Sequence, residues 1–334
     1  MPLTISQADL AALLDSDDEL GDALDRVERS LLDRHQGEAG HAIFADLPLA
    51  SDNAFRVMGS TAEGSVSTVR VFPDHTNQGA RHDTAFTLVL DPSTGALLAI
   101  LAGDDLNTLR TSVPAGVGAR HLAPEGARTL GVLGSSTQAR GHARAICRAL
   151  PGIQEVLVWS PTAANREAFA EEHTARFGFP VRPCATAEEA VGGADVITAA
   201  GNTAGGVPAY EDAWVRPGAL AISMTRSAPP ELRARARNVA PTRRRPQLVA
   251  VGFVGRGAPR PGQDPEGVVE LADVITGTVP ARVDPDQPVV FELANIYLWD
   301  QPIAAWALDW ATRHGLGSTL ELTASASSSA AAVG

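Results

Sequence analysis

The chain has 334 residues, of which 44% are hydrophobic and 20% are charged, and its formal net charge is −12. The length favours two domains, because one hydrophobic core seldom serves so many residues. The acidic charge argues against a nucleic-acid partner, since a duplex-binding protein normally presents a basic face.

Other features exclude further classes of protein. No apolar run approaches the roughly 20 residues of a membrane span, and the N-terminus lacks the basic and apolar regions of a secretory signal. We therefore expect no membrane association and a cytoplasmic location. The two cysteines, Cys147 and Cys184, are too few for a disulfide framework, and the spacing of cysteine and histidine predicts no metal site.

In chain order, a helix and then several strands are predicted for the first third. Leucines recur at helical spacing over residues 4–35. The segments 66–72 and 85–90 are rich in β-branched and apolar residues, which is typical of strands, and the segments 73–79 and 91–95 resemble hairpin turns. Residues 104–122 return to helical spacing.

From Thr129 onwards, short apolar strands alternate with helices. Strands are predicted at 129–133, 156–159, 196–199, 219–223 and 247–251, and helices from the first strand to about Leu150, at 165–177 and at 188–195. This alternation indicates a parallel, doubly wound sheet, and hence an α/β fold. Residues 291–314 are predicted to form a closing helical region, and the low-complexity tail 323–334 to be disordered.

The most informative motif is the turn after the strand 129–133. Gly134 permits a tight turn, and Ala139 stands where the next helix must pack closely on the strand. The N–H groups at the start of that helix would then face a pyrophosphate. Ser136 replaces the middle glycine of the usual G-x-G-x-x-G/A pattern, so an ordinary strand–helix turn is the alternative. The flanking strand and helix favour dinucleotide binding, with a cofactor site at Gly134, Ser135, Ser136, Thr137, Gln138 and Ala139.

The segment after the next strand predicts which dinucleotide is bound. An NAD site usually has an acidic residue here, whereas this chain has Ser160 and Thr162. Their hydroxyls can donate to a 2′-phosphate, and Arg166 or Arg140 can add positive charge, so we favour NADP (NADPH) over NAD. The alternative is that Ser160 and Thr162 only cap the following helix.

Short motifs follow one another in a fixed order along the chain, and the match that they carry covers residues from about 40 to 320. The series comprises Thr94-Gly95-Ala-Leu-Leu-Ala, Leu109-Arg110-Thr111, Ala127-Arg-Thr-Leu-Gly-Val-Leu-Gly134 through Gln138-Ala139, Ala194-Asp195-Val-Ile, Val215-Arg-Pro-Gly218-Ala, Glu231-Leu232, and Val290-Phe291-Glu-Leu followed by Asp300. In this order the motifs resemble the ornithine cyclodeaminase/mu-crystallin family. The resemblance implies a Rossmann domain, residues 115–295, inserted into a smaller α+β substrate-binding and dimerisation domain, residues 1–114 and 296–322, in a homodimer.

The resemblance also implies a reaction. Members of this family pass a hydride between a nicotinamide cofactor and a C=N carbon or its amine equivalent. We therefore expect an NAD(P)H-dependent oxidoreductase that reduces the imine of an amino or imino acid. The catalytic positions that we assign are Arg110, Arg226 and Asp300, and further cofactor-binding positions are Thr111, Ala199, Ala200 and Asn202.

Three polar positions of the family are changed here. The family's carboxylate-binding arginine falls near His41, its substrate lysine at Ser67 beside Thr68, and the acidic residue of the cyclodeaminases at Thr225. Cyclodeamination needs a general base and a carboxylate, so a ketimine reductase is favoured over an ornithine-type cyclodeaminase. A non-catalytic NADP-binding homologue is the third possibility.

Arg110 remains from the family's cationic substrate cluster. Its planar fork suits a bidentate contact to a carboxylate, and a structural ion pair is the alternative. Further polar candidates, which sequence alone does not place, are Arg56, Arg70, His75, Arg81 and His82.

Overall fold

The computed structural model describes residues 1–36, 39–48, 54–62, 65–74, 85–103, 105–200, 209–224, 227–242, 267–293 and 298–322. The strands in these ranges form two sheets, one of seven strands and one of eight. The predicted α/β class is confirmed. The predicted tail, residues 323–334, lies outside the described residues.

The first sheet is mainly antiparallel. Its strands are β1 (Leu3–Ile5), β2 (Ala39–Pro48), β3 (Ala54–Ala62), β4 (Ser67–Asp74), β5 (Phe86–Leu90), β6 (Leu97–Ala102) and β15 (Ser318–Thr319), in the order β15-β1-β6-β5-β4-β3-β2. The strands predicted at 66–72 and 85–90 correspond to β4 and β5, and the turn predicted at 91–95 joins β5 to β6. The turn predicted at 73–79 lies mostly outside the described residues.

The second sheet is built from parallel pairs throughout its described strands. These are β7 (Thr129–Leu133), β8 (Glu155–Trp159), β9 (Val181–Pro183), β10 (Val196–Ala199), β11 (Leu220–Ser223), β12 (Arg237–Ala240), β13 (Val269–Glu270) and β14 (Val289–Glu292), in the order β13-β12-β14-β11-β10-β7-β8-β9. Because β7 lies between β8 and β10, the direction of winding reverses beside it, and this switch point is where doubly wound sheets bind ligands. The strand predicted at 247–251 lies outside the described residues.

Helices pack on both sheets. They are α1 (Gln7–Asp15), α2 (Asp17–Gln36), α3 (Asp105–Leu122), α4 (Thr137–Ala149), α5 (Ala163–Phe177), α6 (Ala187–Gly192), α7 (Pro230–Arg235), α8 (Leu271–Ile275) and α9 (Asp300–Arg313), with a short 3-10 helix at Asp212–Trp214.

Two helix predictions are corrected. Residues 4–35 form the end of β1 and two helices, because Ser6 caps α1 in a capping box with Asp9 and the backbone is extended at Ser16. The closing helix starts at Asp300 and not at residue 291, since 289–292 is the buried strand β14. A short continuous apolar run fits a buried strand as well as a helix, so periodicity could not separate them.

Helix α3 connects the two sheets. It continues through the predicted domain boundary at residues 114 and 115, with Pro114 inside the helix, and the boundaries themselves stay a prediction. It lies very close to α4, because a Cβ at Gly141 would come 2.6 Å from Cγ2 of Thr108. This close approach holds the N-terminal half of α3 beside the start of α4.

Candidate active site

The turn after β7 has the backbone geometry that the sequence predicts. Gly134 has a φ of +121°, a region that L-residues rarely adopt, and its N–H donates to the carbonyl of Trp159 at 2.8 Å. Ser136 is the N-cap of α4, and its Oγ accepts from the N–H of Ala139 at 3.4 Å and donates to the carbonyl of Ala200 at 3.3 Å. The turn therefore joins the ends of β7, β8 and β10 at the switch point.

This arrangement fits a dinucleotide despite the serine at the middle position of the motif. The Ser136 hydroxyl is turned back onto the helix and the end of β10. The N–H groups of a helix's first turn have no intrahelical acceptor, and the Ser136 side chain serves only that of Ala139. Thr137 is exposed and Gln138 is half-buried, so the start of α4 is accessible to an anionic group.

At the end of β8, hydroxyl groups meet across two loops. Ser135 Oγ donates to Ser160 Oγ at 3.0 Å, and Arg166 Nη1 donates to the carbonyl of Ser160 at 3.0 Å. Thr162 is the N-cap of α5, but its side chain makes no capping hydrogen bond. The simple capping role that was the alternative for Thr162 is therefore absent.

Arg140 also lies at this end of the sheet. Its guanidinium pairs with Glu172 at 2.8 Å, donates to the carbonyl of Ser135 and lies 5.3 Å from the ring centroid of Phe169. The positive charge that the sequence suggested is present, and it is partly neutralised by Glu172.

A chain of hydrogen bonds leads from α4 to Arg110 on α3. Thr111 Oγ1 donates to Gln138 Oε1, and Gln138 Nε2 donates to the carbonyl of Asn107 at 3.3 Å. The side-chain oxygen of Asn107 accepts from Arg110 Nε at 2.8 Å and from Nη2 at 2.5 Å. The predicted residues Thr111, Gln138 and Arg110 thus belong to one network, and Asn107, which is not among the predicted residues, joins them.

Arg110 and Asp300 form a buried pair at the first residue of α9. Their side chains are 4% and 5% exposed, and Arg110 Nε lies 3.6 Å from Asp300 Oδ1. Burial raises the pKa of Asp300, while the positive charges of Arg110 and Arg70 oppose that rise. Arg70 on β4 is buried as well. One charged cluster therefore combines side chains from β4, α3 and α9.

Beneath the turn, a buried histidine connects α4 to the sheet. His142 Nδ1 lies 2.8 Å from Oγ1 of Thr198 on β10, the strand that ends at Ala199. Burial lowers the pKa of His142 to about 4, so the imidazole is neutral at pH 7. This residue was not singled out from the sequence.

The structure describes some of the other predicted site residues and not others. Ala199 and Ala200 lie at the carboxyl end of β10, as expected for a cofactor site. Arg226 and Asn202 lie outside the described residues, as do Thr225, His75, Arg81 and His82. Among the described residues, no group of three potential ligands could hold a metal ion. Within the same part of the chain, every helix is too short or too polar to cross a bilayer.

Sequence signals exist both for placing Arg70, which was a candidate without a position, and for finding Asn107, which was not a candidate. On β4, alternate residues share a face, and this places Arg70 with the buried Thr68 and Phe72. On α3, Asn107 and Arg110 are three residues apart, a spacing that brings side chains together on a helix.

Comparison with known proteins decides the family. The family model "Ornithine cyclodeaminase/mu-crystallin family" matches residues 8–306. This chain belongs to that family. The resemblance expected from the short motifs is therefore confirmed.

Curated relatives and solved structures agree with this assignment. Delta(1)-pyrroline-2-carboxylate reductase of Bacillus cereus is 27% identical over 300 residues, which cover 84% of this chain and 88% of the relative. Ketimine reductase mu-crystallin of Rattus norvegicus is 33% identical over 172 residues, or 51% of this chain and 53% of the relative. The structure of Thermococcus litoralis Delta(1)-pyrroline-2-carboxylate reductase in complex with NADH and L-proline has a TM-score of 0.79 at 24% identity, over 95% of this chain and all (100%) of that one. At this identity the structural likeness establishes the fold.

Proposed function

We propose that this protein is an NAD(P)H-dependent reductase of the C=N bond of an imino acid. The observation that carries the proposal is the continuous connection between the dinucleotide turn at Gly134 and the buried Arg110–Asp300 pair, through Gln138 and Asn107. Relatives named as pyrroline-2-carboxylate and ketimine reductases support the same reaction class. When bound, the nicotinamide cofactor supplies the hydride that reduces the imine carbon.

The cofactor is assigned to the switch point of the parallel sheet. The N–H groups of residues 135–138 would bind the pyrophosphate, with the positive end of the α4 dipole behind them. Ala139 permits close packing of α4 on the sheet, and the proposed lining continues through Thr111, Ala199, Ala200 and Asn202. The role of these lining residues is to hold the dinucleotide with its nicotinamide end towards α3.

The substrate carboxylate is assigned to Arg110. Asn107 accepts from Nε and Nη2, which fixes the plane of the guanidinium and leaves Nη1 for a ligand. A carboxylate bound by a positioned, buried arginine is held in one orientation, which is what a hydride acceptor requires. Arg226 is proposed as a second anion-binding group at this site.

The cofactor preference is assigned to NADPH. Residues 159–166 contain no acidic residue, and Ser135, Ser160 and Arg166 provide hydroxyl and guanidinium groups at the position of the adenosine ribose. Hydroxyl and arginine donors favour a 2′-phosphate, whereas a carboxylate would favour the free ribose hydroxyls of NADH.

Ser160→Asp is therefore expected to shift the preference towards NADH, because the added carboxylate repels the 2′-phosphate. Fluorescence titration of the wild type and the variant with NADPH and NADH measures the ratio of the two dissociation constants. Thr162→Asp, at an exposed neighbouring position, should shift the ratio in the same direction. Thr186→Asp adds the same charge at the N-cap of α6 and should leave it unchanged. Tighter binding of NADH by the wild type would refute the assignment.

We also propose that the protein is a homodimer that pairs through the first sheet. Helix α9 covers one face of strands β3 to β6, which we call the inner face of the first sheet. The opposite face is the outer face. On the outer face, cross-strand rows join Val57, Val71, Phe86 and Ala102, and next to them Gly59, Val69, Leu88 and Ile100. Phe55 and Phe86 are 40% and 38% exposed.

The composition of this outer face favours a second copy of the chain as its partner. Its positions on β3 to β6 carry no charged residue, and contiguous exposed apolar surface of this kind is typical of obligate interfaces. A two-fold pairing of identical sheet faces would bury the rows on both protomers.

Leu88→Asp is expected to produce monomers, because each dimer would bury two carboxylates against apolar rows. Light scattering after size-exclusion chromatography measures the mass in solution. Leu322→Asp, at a position that is 62% exposed outside this sheet face, is the matched control and should remain dimeric. A monomeric wild type, or a dimeric Leu88→Asp variant, would show that this face is not the interface.

A further inference from the structure

Two buried polar atoms of the proposed substrate site lack a hydrogen-bond partner among the described residues, and they are of complementary kinds. One is Nη1 of Arg110, which can only donate, and the other is Oδ2 of Asp300, which accepts when the carboxyl is ionised. Arg110 and Asp300 are 4% and 5% exposed, so bulk water does not readily take the place of a partner. A buried group without a partner is costly, and a catalytic role is one of the explanations for such a group.

The two atoms also belong to the same small region. The side chains approach each other through Arg110 Nε and Asp300 Oδ1 at 3.6 Å, and Asn107 Oδ1 accepts from the same Nε and from Nη2, so Nη1 lies outside both contacts. Arg110 on α3 therefore contributes a donor, and Asp300 on α9 an acceptor, within one pair of neighbouring side chains.

We infer that Asp300 binds the nitrogen of the substrate through Oδ2 while Arg110 binds its carboxylate through Nη1. In an α-imino or α-amino acid, the nitrogen and the carboxylate are both attached to the α-carbon. Such a molecule offers an acceptor to Arg110 and a nitrogen to Asp300 at the close spacing that the pair requires. The inference rests on the proposed function and specifies how this site selects nitrogen compounds over other carboxylic acids.

The protonation chemistry is consistent with this role. Burial raises the pKa of Asp300 against the opposing effect of Arg110 and Arg70. A protonated Asp300 donates to a neutral imine nitrogen, and an ionised one accepts from an iminium N–H. In both cases one proton lies between Oδ2 and the nitrogen, and this keeps the imine carbon receptive to hydride.

Asp300 offers a carboxylate to the proposed substrate site although the chain has no acidic residue at position 225. The position that is acidic in cyclodeaminases is occupied by Thr225. Asp300 supplies a carboxylate from the start of α9, beside the arginine that is assigned to the substrate.

The test compares ligands that differ by their nitrogen. L-Proline and cyclopentanecarboxylate form one pair and L-alanine and propionate another, and their binding to the NADP-saturated enzyme is measured by calorimetry. The wild type should prefer the nitrogen-containing ligand of at least one pair by about tenfold or more, the expected strength of a charged hydrogen bond. Asp300→Asn should reduce that preference about tenfold, whereas Arg110→Lys should weaken both ligands of the pair in parallel.

Two controls make the outcome specific. Asp309→Asn, on the same helix but 44% exposed, should leave the affinities for the nitrogen-containing ligand and for its nitrogen-free counterpart unchanged. Asp300→Ser is the second variant if Asp300→Asn does not fold, as judged by its melting temperature. A wild type that binds neither pair or shows no preference, or an Asp300 variant that retains the wild-type preference, would overturn the inference.

Turnover separates this inference from the proposed function. Cyclic imine reduction by the wild type, together with an unchanged preference in the Asp300 variants, would overturn the role of Asp300 alone. Loss of the preference in those variants without any imine turnover by the wild type would support nitrogen binding by Asp300 and refute the reductase assignment.

Discussion

Replacing Arg110 by alanine is expected to lower kcat/KM for an imino-acid substrate by roughly a hundredfold or more, because the variant would lose the buried, charged contact that we propose to the substrate carboxylate. Arg110→Lys should cost roughly tenfold to a hundredfold, since a point charge replaces the planar fork without its geometry. Affinity for NADPH should stay nearly unchanged in both variants, because the phosphates are assigned to the start of α4. Steady-state kinetics and cofactor titration measure the two effects separately.

The matched control for Arg110 lies on the same helix. Arg120→Ala removes a half-buried arginine that pairs with Asp25 and Glu28, far along α3, and should leave kcat/KM unchanged. Because Arg110→Ala leaves Asp300 buried without its partner, the variant's melting temperature must be recorded as well. A near-wild-type kcat/KM in a folded Arg110→Ala variant would show that Arg110 is structural and that other groups hold the substrate.

The stability of the protein is expected to fall by roughly 3 kcal/mol between neutral pH and about pH 4 on account of His142 alone. Its pKa is lowered from 6.5 to about 4 by complete burial, so the folded state takes up the proton less readily than the unfolded state. As the pH falls below 6.5, the unfolded state becomes protonated first and the free energy of unfolding decreases, until the folded pKa is passed.

His142→Gln should remove this part of the pH dependence. Urea unfolding at about pH 7 and about pH 4.5 gives the free energy of unfolding of the wild type and the variant, and their difference isolates His142 from the carboxylates that also titrate. His314→Gln, at the C-terminal cap of α9, is the control and should keep the wild-type slope. Equal slopes for the wild type and His142→Gln would contradict the assignment of a buried neutral imidazole.

The parallel sheet could be predicted well because its signals are local. From Thr129 onwards, each short apolar strand is followed by a segment with helical spacing, and the turn at Gly134 is contained in a few consecutive residues. The prediction was wrong where local patterns are ambiguous. The apolar run at 289–291 fits a strand as well as a helix. At Ser16 the leucine spacing continues across the break, although Ser16-Asp-Asp-Glu19 is a helix-start pattern and Ser16 Oγ accepts from the N–H of Glu19 at 3.3 Å.

The candidate site was predicted only in part, because its members are distant in the sequence. Arg70, Arg110 and Asp300 come from β4, α3 and α9, and only the packing of these elements brings them together. Arg110 and Asp300 were assigned from the resemblance to the family. Arg70 stands out only when the alternation along β4 is combined with knowledge of which face α9 covers, and that knowledge comes from tertiary structure.

Oxidation of NADPH by a cyclic imino acid is the direct test of the proposed imine reduction. The purified protein is mixed with NADPH and pyrroline-2-carboxylate or its six-membered homologue, and the nicotinamide absorbance is followed. We expect a loss of absorbance that requires both the imine and the enzyme, with the corresponding cyclic amino acid as product. NADPH binding without oxidation by any imine would indicate a non-catalytic homologue, and formation of proline from ornithine without an external hydride donor would indicate a cyclodeaminase. Either result would refute the assignment of this protein as an imine reductase.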